Sequence, residues 1–445
     1  MRGRAVLLAM AIIAAPLRAG TADLVVWWQK GFYPQEDEAA AEIVAAFEQE
    51  TDQRVELSLY TDMELPAKIK AALEAGHPPD FAFGFLFGYY VGQWAFEDRL
   101  ADLSDTIGHF ADLFDPDALE RAMLVNAKTG QRALYGLPMG RSTHHVHAWK
   151  SLLEQAGLTL EEIPKEWDAF WSFWCDEVQP AVRKALGRDD IWGVGLPMSE
   201  VFDTQFAFLQ FLAANRADYV TRDGRLIIDE PQIREKLVTV LDSYTGIYRK
   251  SCTPPGAVAW GNIDNNKAFL AQAVVMTANE TLSIPNALKR DRPADYFANS
   301  ATIAWPLGPD DEPFAIGGVV HLAVVFKGGA HVAAAQDFVR FLVAEGWLAH
   351  YLDFSVERLL PPMQKLLDQP FWLDPSDPHR MASVMQVASR PLALNYAAAS
   401  GNWRHARVDQ EYVWANAVHR VVTEGMSPEQ AVDEAIARIK QILSE

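Results

Sequence analysis

The sequence predicts an exported α/β protein of two lobes, each a mostly parallel sheet flanked by helices. Three observations carry this expectation. Strands and helices alternate from residue 24 to residue 85. The length left after a signal-like start, about 420 residues, favours two domains over one. No linker-like or low-complexity tract divides the chain, so it is expected to cross between lobes more than once.

Taken in order, Arg2 and Arg4 lead an apolar stretch from Ala5 to Leu17, followed by small residues up to Ala22. This is the pattern of a signal peptide over residues 1–22, too short to span a bilayer. Leu24 to Trp28 reads as a buried strand. Glu36 to Glu50 has Ile43, Val44 and Phe47 at helical spacing. Val55 to Tyr60 alternates as a second strand. Glu64 to Ala75 is a helix, stopped by Gly76 and the pair Pro78–Pro79. Asp80 to Phe85 is a third strand, and such a βαβαβ run predicts a parallel sheet. Tyr135 to Pro138 is turn-like, and Thr143 to Trp149 is a strand. Helices follow at Ser151–Ala156, Trp167–Glu177, Gln205–Ala214 and Gln232–Lys250, with a tight turn at Arg222–Arg225. Asn266–Ala273 is a helix that Asp264 or Asn265 can cap. Val274–Thr277, Ile303–Pro306 and Gly317–Phe326 are strands; Val332–Val343 and Pro428–Leu443 are helices.

The full chain carries a formal charge of −20. Residues 1–22 hold Arg2, Arg4 and Arg18 and no acid, so a chain starting at Asp23 carries −23. Such an acidic surface repels phosphate backbones, and nucleic acid is not an expected partner. Cys175 and Cys252 are the two cysteines. An oxidising compartment permits a bridge between them, but spacing alone leaves bridge and separate thiols both open. His145 and His147 share a strand face, yet a pair supplies too few ligands for a metal site, and no metal or cofactor is expected. G-x-S-x-G, H-E-x-x-H and P-loop signatures are absent.

Several stretches in order resemble one family. They are the Trp27–Trp28 strand with its helix, and His77-Pro78-Pro79-Asp80-Phe81, similar to a family "G-x-x-P-D". Tyr135-Gly136-Leu137-Pro138 through Leu158 is similar to "Y-G-L-P…Y-N-K-x-L-F-x-x-A-G-L", with Ala148-Trp149-Lys150 for Tyr-Asn-Lys. Pro164 to Phe170 is similar to "P-x-T-W-x-E-F" with Glu166 for Thr, and Ala268 to Met276 to "A-F-x-x-G-K-A-A-M" with Gln272 for Lys. Leu360-Pro361-Pro362 matches a later landmark. The family is the extracellular solute-binding proteins of ABC importers, in the branch resembling maltose-binding protein. The resemblance implies two lobes, residues 23–141 plus 302–357 and residues 142–301 plus 358–445, closing on a ligand. It implies a monomeric periplasmic protein that hands a small solute, a sugar, to permease subunits and performs no catalysis. A secreted carbohydrate-active hydrolase, or the same fold binding a polyamine or other cation, are the alternatives.

Candidate ligand residues follow from strand ends, where open α/β sheets bind their ligands. Trp28, Gln29, Phe85, Phe87 and Tyr89 are placed there, since aromatic faces suit the C–H faces of sugars. Ordinary core packing is the competing reading, and alternation sends one of Trp27 and Trp28 inward. Arg141 and His144 are candidate polar groups beside the hinge. Asp203 and Gln205 either cap a helix or face the cleft. Asn279 and Glu280 stand where the family has Asn-Gly-x-Trp, so its stacking Trp is missing here, and Trp260 or Trp403 can replace it. Gly318, beside Gly317, permits close backbone approach.

Overall fold

The computed structural model describes residues 22–389 and 401–445 except 63, 317, 345 and 355–357, and leaves out the side chains of residues 86, 89, 354 and 386–389. The expected signal peptide lies outside the described residues save for Ala22. Among the described residues no helix is long and apolar enough to cross a membrane.

Among the described residues eleven strands organise the fold: β1 Leu24–Gln29, β2 Val55–Tyr60, β3 Phe81–Phe83, β4 Met123–Asn126, β5 Gln131–Leu134, β6 Leu137–Thr143, β7 His145–Trp149, β8 Trp192–Gly195, β9 Val274–Asn279, β10 Ser300–Ile303 and β11 Gly318–Val325. A five-stranded sheet has the order β2-β1-β3-β11-β6, a four-stranded sheet the order β10-β7-β9-β8, and β4 pairs with β5. The helices Pro34–Thr51 and Glu64–Ala75 link β1, β2 and β3, and β1 runs parallel to both other strands, as the βαβαβ pattern predicts.

The sheets are mixed rather than mostly parallel. β11 is antiparallel to β3 and β6, and β7 is antiparallel to β9 and β10; β8 and β9 are parallel. The reversal has a topological cause. β6 runs into β7 across the single residue His144, so the chain enters the second sheet directly from the first without a crossover helix. The strands that enter a sheet from the other lobe, β7 and β11, run against its other strands, whereas β6, which leaves the first sheet, keeps the direction of β3. The Pro138 segment is part of strand β6 and not a turn. β6 is the sheet edge, and its register shifts near Met139, opposite the His321–Leu322 step. An edge with a bulge tolerates a proline that lacks an N–H.

Among the described residues two large hydrophobic cores follow from the two larger sheets, beside a small third cluster around Leu360 and Trp372. The first gathers Val26, Trp28, Ile43, Phe47, Phe81, Phe83 and Phe338, together with Leu359 and Met363. The second gathers Trp149, Trp167, Trp174, Phe211, Tyr244, Val274, Trp305, Phe314 and Trp414. The chain passes between cores from Met139 to Val146, from Ile316 to Val320, and from Met363 to Val408. In the second lobe, helix Trp167–Ser172 continues as a π-helical turn, Phe173–Val178, that carries Cys175. Cys175 and Cys252 are disulfide-bonded, with Cα atoms 5.1 Å apart. Beside the bridge, a Cβ on Gly193 would lie 2.1 Å from the Trp174 carbonyl oxygen, so only glycine lets β8 pass there.

Candidate functional site

A cavity of about 570 Å3 lies between the two sheets and draws its walls from both lobes. Gln29 at the end of β1, Phe85 in the turn Phe85–Tyr89, and His321 in β11 come from the first. Asp203 and Phe206 in helix Phe202–Ala214, and Asn279 and Glu280 at the end of β9, come from the second. Trp403, Asp409 and Tyr412 arrive from the C-terminal segment. Strand ends converge here because both sheets aim their loops at the gap.

Local hydrogen bonds position the walls. Phe85 N donates to Gln29 Oε1 at 2.6 Å, which ties the turn to β1. Glu36 accepts at Oε1 from Phe32 N and Tyr33 N, at 3.1 and 3.3 Å, and its Oε2 accepts from Arg358 Nη2 at 2.6 Å. Arg358 then lies 4.0 Å from the Phe85 ring centroid, a cation–π contact held by a buried ion pair. Ser142 is hydrogen-bonded to Glu280, and His321 Nε2 lies 3.1 Å from Ser142 Oγ. Ser142 pairs with Val319 and Gly140 with His321, so Ser142 and His321 are diagonal neighbours on one sheet face.

The carboxyl groups of this wall are held in a poorly solvated setting. Burial pushes Glu280 up to about 7, against the opposing pull of Ser142 and Arg358. Burial, then the negative charge of Glu280, raises Asp203 well above the usual carboxylate range. Burial raises Asp409 to about 6, partly offset by the Gln205 hydrogen bond. Burial, then the Arg358 charge, lowers His321 to about 3, so its ring is neutral at physiological pH. Tyr412 takes a left-handed backbone, φ 50°, at the start of helix Val413–Thr423. A non-glycine residue in that region carries strain of the kind that clusters at binding sites.

Of the residues singled out in the sequence, Gln29, Phe85, Asp203, Asn279, Glu280, Gly318 and Trp403 line the cavity. Asp203 does not cap its helix, whose cap is Val201. Asp264, one of two caps expected for the helix before β9, is instead the first residue of that helix, Asp264–Leu270, and its carboxylate accepts from Gly261 N at 2.7 Å. The amide of Asn279 is engaged within its own loop, donating to Thr281 O at 2.8 Å and Ser283 Oγ at 3.2 Å. Trp403 faces the first lobe, its ring 6.4 Å from Phe96.

The other candidates sit elsewhere. Trp28 is 1% exposed and packs on Phe83 and Tyr351 in the first core, at 5.3 and 5.2 Å. Phe87 is buried edge-on against Trp94. Arg141 is buried in an ion pair with Asp115 at 2.9 Å, and its backbone bridges to Leu360. His144 is enclosed near Phe206 and Trp305, and its carbonyl accepts from Trp305 Nε1 at 2.9 Å. Gln205 is fully buried; its Oε1 accepts from Trp414 N and Ala415 N, both at 3.0 Å, in the first turn of helix Val413–Thr423. Trp260 packs beside the second core, where its carbonyl accepts from Ser199. The side chain of Tyr89, and Gly317, lie outside the described residues. Among the described residues no group of three or more His, Cys, Asp or Glu gathers in a metal-holding arrangement.

Sequence reasoning passed over Phe32, Asp62, Phe206, His321, Arg358, Asp409 and Tyr412, all of which line the cavity. Arg358 stands two residues before Leu360-Pro361-Pro362, a landmark that could have drawn attention to it.

Residues 42–381 match the family of bacterial extracellular solute-binding proteins. The chain belongs to this family. Among solved structures, an ABC transporter solute-binding protein from Thermotoga lettingae TMO bound with alpha-D-tagatose matches at 19% identity and a TM-score of 0.75, over 94% of this chain and 99% of that one. Maltose-bound MalE3 of T. maritima matches at 20% identity and a TM-score of 0.74, over 94% and 100%. Both likenesses are in fold: an α/β protein of two lobes. A relative from Escherichia coli (strain K12), named YcjN and assigned by its name to the periplasmic-binding proteins of ABC transporters, is 23% identical over 241 residues. That alignment covers 54% of this chain and 50% of the relative, so the chain spans about half the length of that relative. The cavity between the lobes offers mixed polar and aromatic walls.

Proposed function

We propose that this protein is the periplasmic solute-binding component of an ABC importer, and that it binds a carbohydrate in the interlobe cavity and hands it to permease subunits. The observation that carries the reading is the cavity itself. It is walled by both lobes, with aromatic faces at Phe85, Phe206 and Trp403 and hydrogen-bonding groups at Gln29, Asp203 and Glu280. Aromatic faces stack on sugar C–H faces while polar groups meet the hydroxyls. The tagatose and maltose held by proteins of the same fold support this class of solute. The hinge consists of the crossings near His144, near Gly318 and beyond Met363, and closure is stabilised because the ligand binds the closed form better than the open one. Export proceeds through residues 1–22, with cleavage after Ala22, and the protein acts as a monomer.

Thermal unfolding of the chain from Asp23 onward, with maltose, tagatose and spermidine added separately, tests the reading. A ligand at one hundred times its Kd adds about 2.7 kcal/mol of stability. Stabilisation by a sugar with no product formed supports the proposal. Stabilisation by spermidine alone moves the ligand to a cation, and turnover of an oligosaccharide replaces transport with hydrolysis.

A further inference from the structure

The hydrogen-bonded chain from Glu280 through Ser142 to His321 has a definite proton count. His321 Nδ1 lies 3.3 Å from the carbonyl oxygen of Phe85. A carbonyl only accepts, so Nδ1 carries a hydrogen. Nε2 faces Ser142 Oγ at 3.1 Å, and Ser142 Oγ is bonded to a carboxyl oxygen of Glu280. Three contacts need three hydrogens. His321 supplies one from Nδ1 and Ser142 supplies one from its hydroxyl. The third sits either on Nε2, which makes His321 an imidazolium, or on Glu280, which makes it a carboxylic acid.

The surroundings decide between them. His321 is 3% exposed, its ring meets Phe85 at 4.6 Å, and the nearby guanidinium of Arg358 opposes a second positive charge. The ionisable groups facing Glu280 are Arg358, from the segment after helix Trp347–Phe354, and Asp203, from helix Phe202–Ala214. Arg358 is already matched by Glu36 of helix Pro34–Thr51 at 2.6 Å, and Asp203 is another acid. Both facts favour an uncharged Glu280, as does burial, which raises it to about 7 while His321 falls to about 3.

We propose that Glu280 is a specificity-determining residue, a buried neutral carboxylic acid paired in the Glu280–Ser142–His321 bridge, so that the cleft wall selects an uncharged hydroxyl-bearing solute over an ammonium-bearing one. Glu280 donates to Ser142, Ser142 donates to Nε2, and Nδ1–H donates to the Phe85 carbonyl. The second oxygen of Glu280 is then a carbonyl acceptor for a solute hydroxyl. At pH 6, below the Glu280 value of about 7, an ammonium group finds there little anion to offset its lost hydration. The selectivity rests on the cavity being the solute site; the bridge does not.

The bridge is tested without ligand, on the chain from Asp23 onward. The Gln amide in Glu280→Gln donates to Ser142 as the acid does, but without a titrating proton. Because the carboxyl pKa is raised in the folded state, its stabilising contribution is full below the ordinary 4.5 and is lost as pH rises to about 7. The melting temperature of the wild type should therefore fall relative to Glu280→Gln across that window, by on the order of 2–4 °C or more, and run parallel above it. Nitrogen-15 NMR of the imidazoles, with His321→Gln for assignment, should show a neutral ring protonated at Nδ1 near pH 6. Parallel melting profiles throughout, or an imidazolium at His321, overturn the bridge; the NMR readout decides if Glu280→Gln does not fold. Spermidine at pH 6, where Glu280 is mainly neutral, supplies the selectivity arm, and stabilisation of the wild type by it there overturns the selection. Failure of maltose and tagatose to stabilise a protein whose bridge is intact counts against the carbohydrate reading and leaves the bridge standing.

Discussion

Gln205 shows how a residue can sit beside a binding cavity and act on it only through its neighbours. Its carbonyl oxygen accepts two helix N–H groups, and its Nε2 donates to Asp409 Oδ1 at 2.8 Å. Gln205→Ala leaves two buried N–H groups and one carboxyl without this partner, which should cost about 1–3 kcal/mol. Urea unfolding checks this, and an unchanged midpoint would show that water or Asp409 replaces the amide. The residue identities that could be read from sequence divide on a similar ground. Gln29, Phe85 and Glu280 follow strand ends, and a strand end points to the gap between sheets whatever the side chain does. Trp28 is different. In a strand covered on both faces, alternation does not tell which face meets the cleft and which meets a helix. Trp28 packs into the core, while Trp27 stands edge-on to Tyr60 at 5.1 Å on the other face. His321 and Arg358 come from segments far apart in the chain, and no local pattern brings them to Glu280.

At the scale of elements, helices with a clear apolar stripe fall within a few residues of their expected limits, as in Pro34–Thr51 and Pro231–Arg249. What escaped was set by neighbours rather than by pattern. β6 contains a proline that is admissible because it lies on an edge, and the antiparallel returns of β7 and β11 depend on how the chain crosses between lobes. The disulfide is of the same kind, since only the π-helical turn and the passage of β8 over Trp174 bring Cys175 to Cys252. The two cysteines are 77 residues apart, and closing a loop of that length restricts the unfolded chain by about 4 kcal/mol on a chain-entropy basis. Replacing both cysteines by serine should therefore lower stability by roughly 2–4 kcal/mol. The loss should appear first in hydrogen exchange of the second lobe, around β8 and β9, with the first lobe unchanged. Equal loss of protection in both lobes would mean that they unfold as one unit.

At the scale of the whole molecule, the lobes have their own cores and touch through a few specific contacts, which is what a hinge-closing binder requires. One such contact reaches the rim of the cavity at Ser283. Tyr33, from the first lobe, donates its buried hydroxyl to the carbonyl of Ser283 in the second lobe at 3.0 Å, and Arg290 covers its ring at 4.7 Å. Burial holds this phenol at about 12, so it stays a donor throughout the physiological range. Tyr33→Phe keeps the ring and its stacking and removes a hydrogen bond that joins the lobes. If the bond exists only when the lobes are closed, its loss of about 0.5–1.5 kcal/mol falls on the closed state alone. Affinity for a stabilising sugar should then weaken roughly 2- to 12-fold, mainly through faster release. Melting of the unliganded protein should stay where it is, because neither core is touched. The opposite pattern, an unchanged Kd with a lower melting temperature, would make the contact a permanent part of the packing and would move the closing movement to another part of the interface.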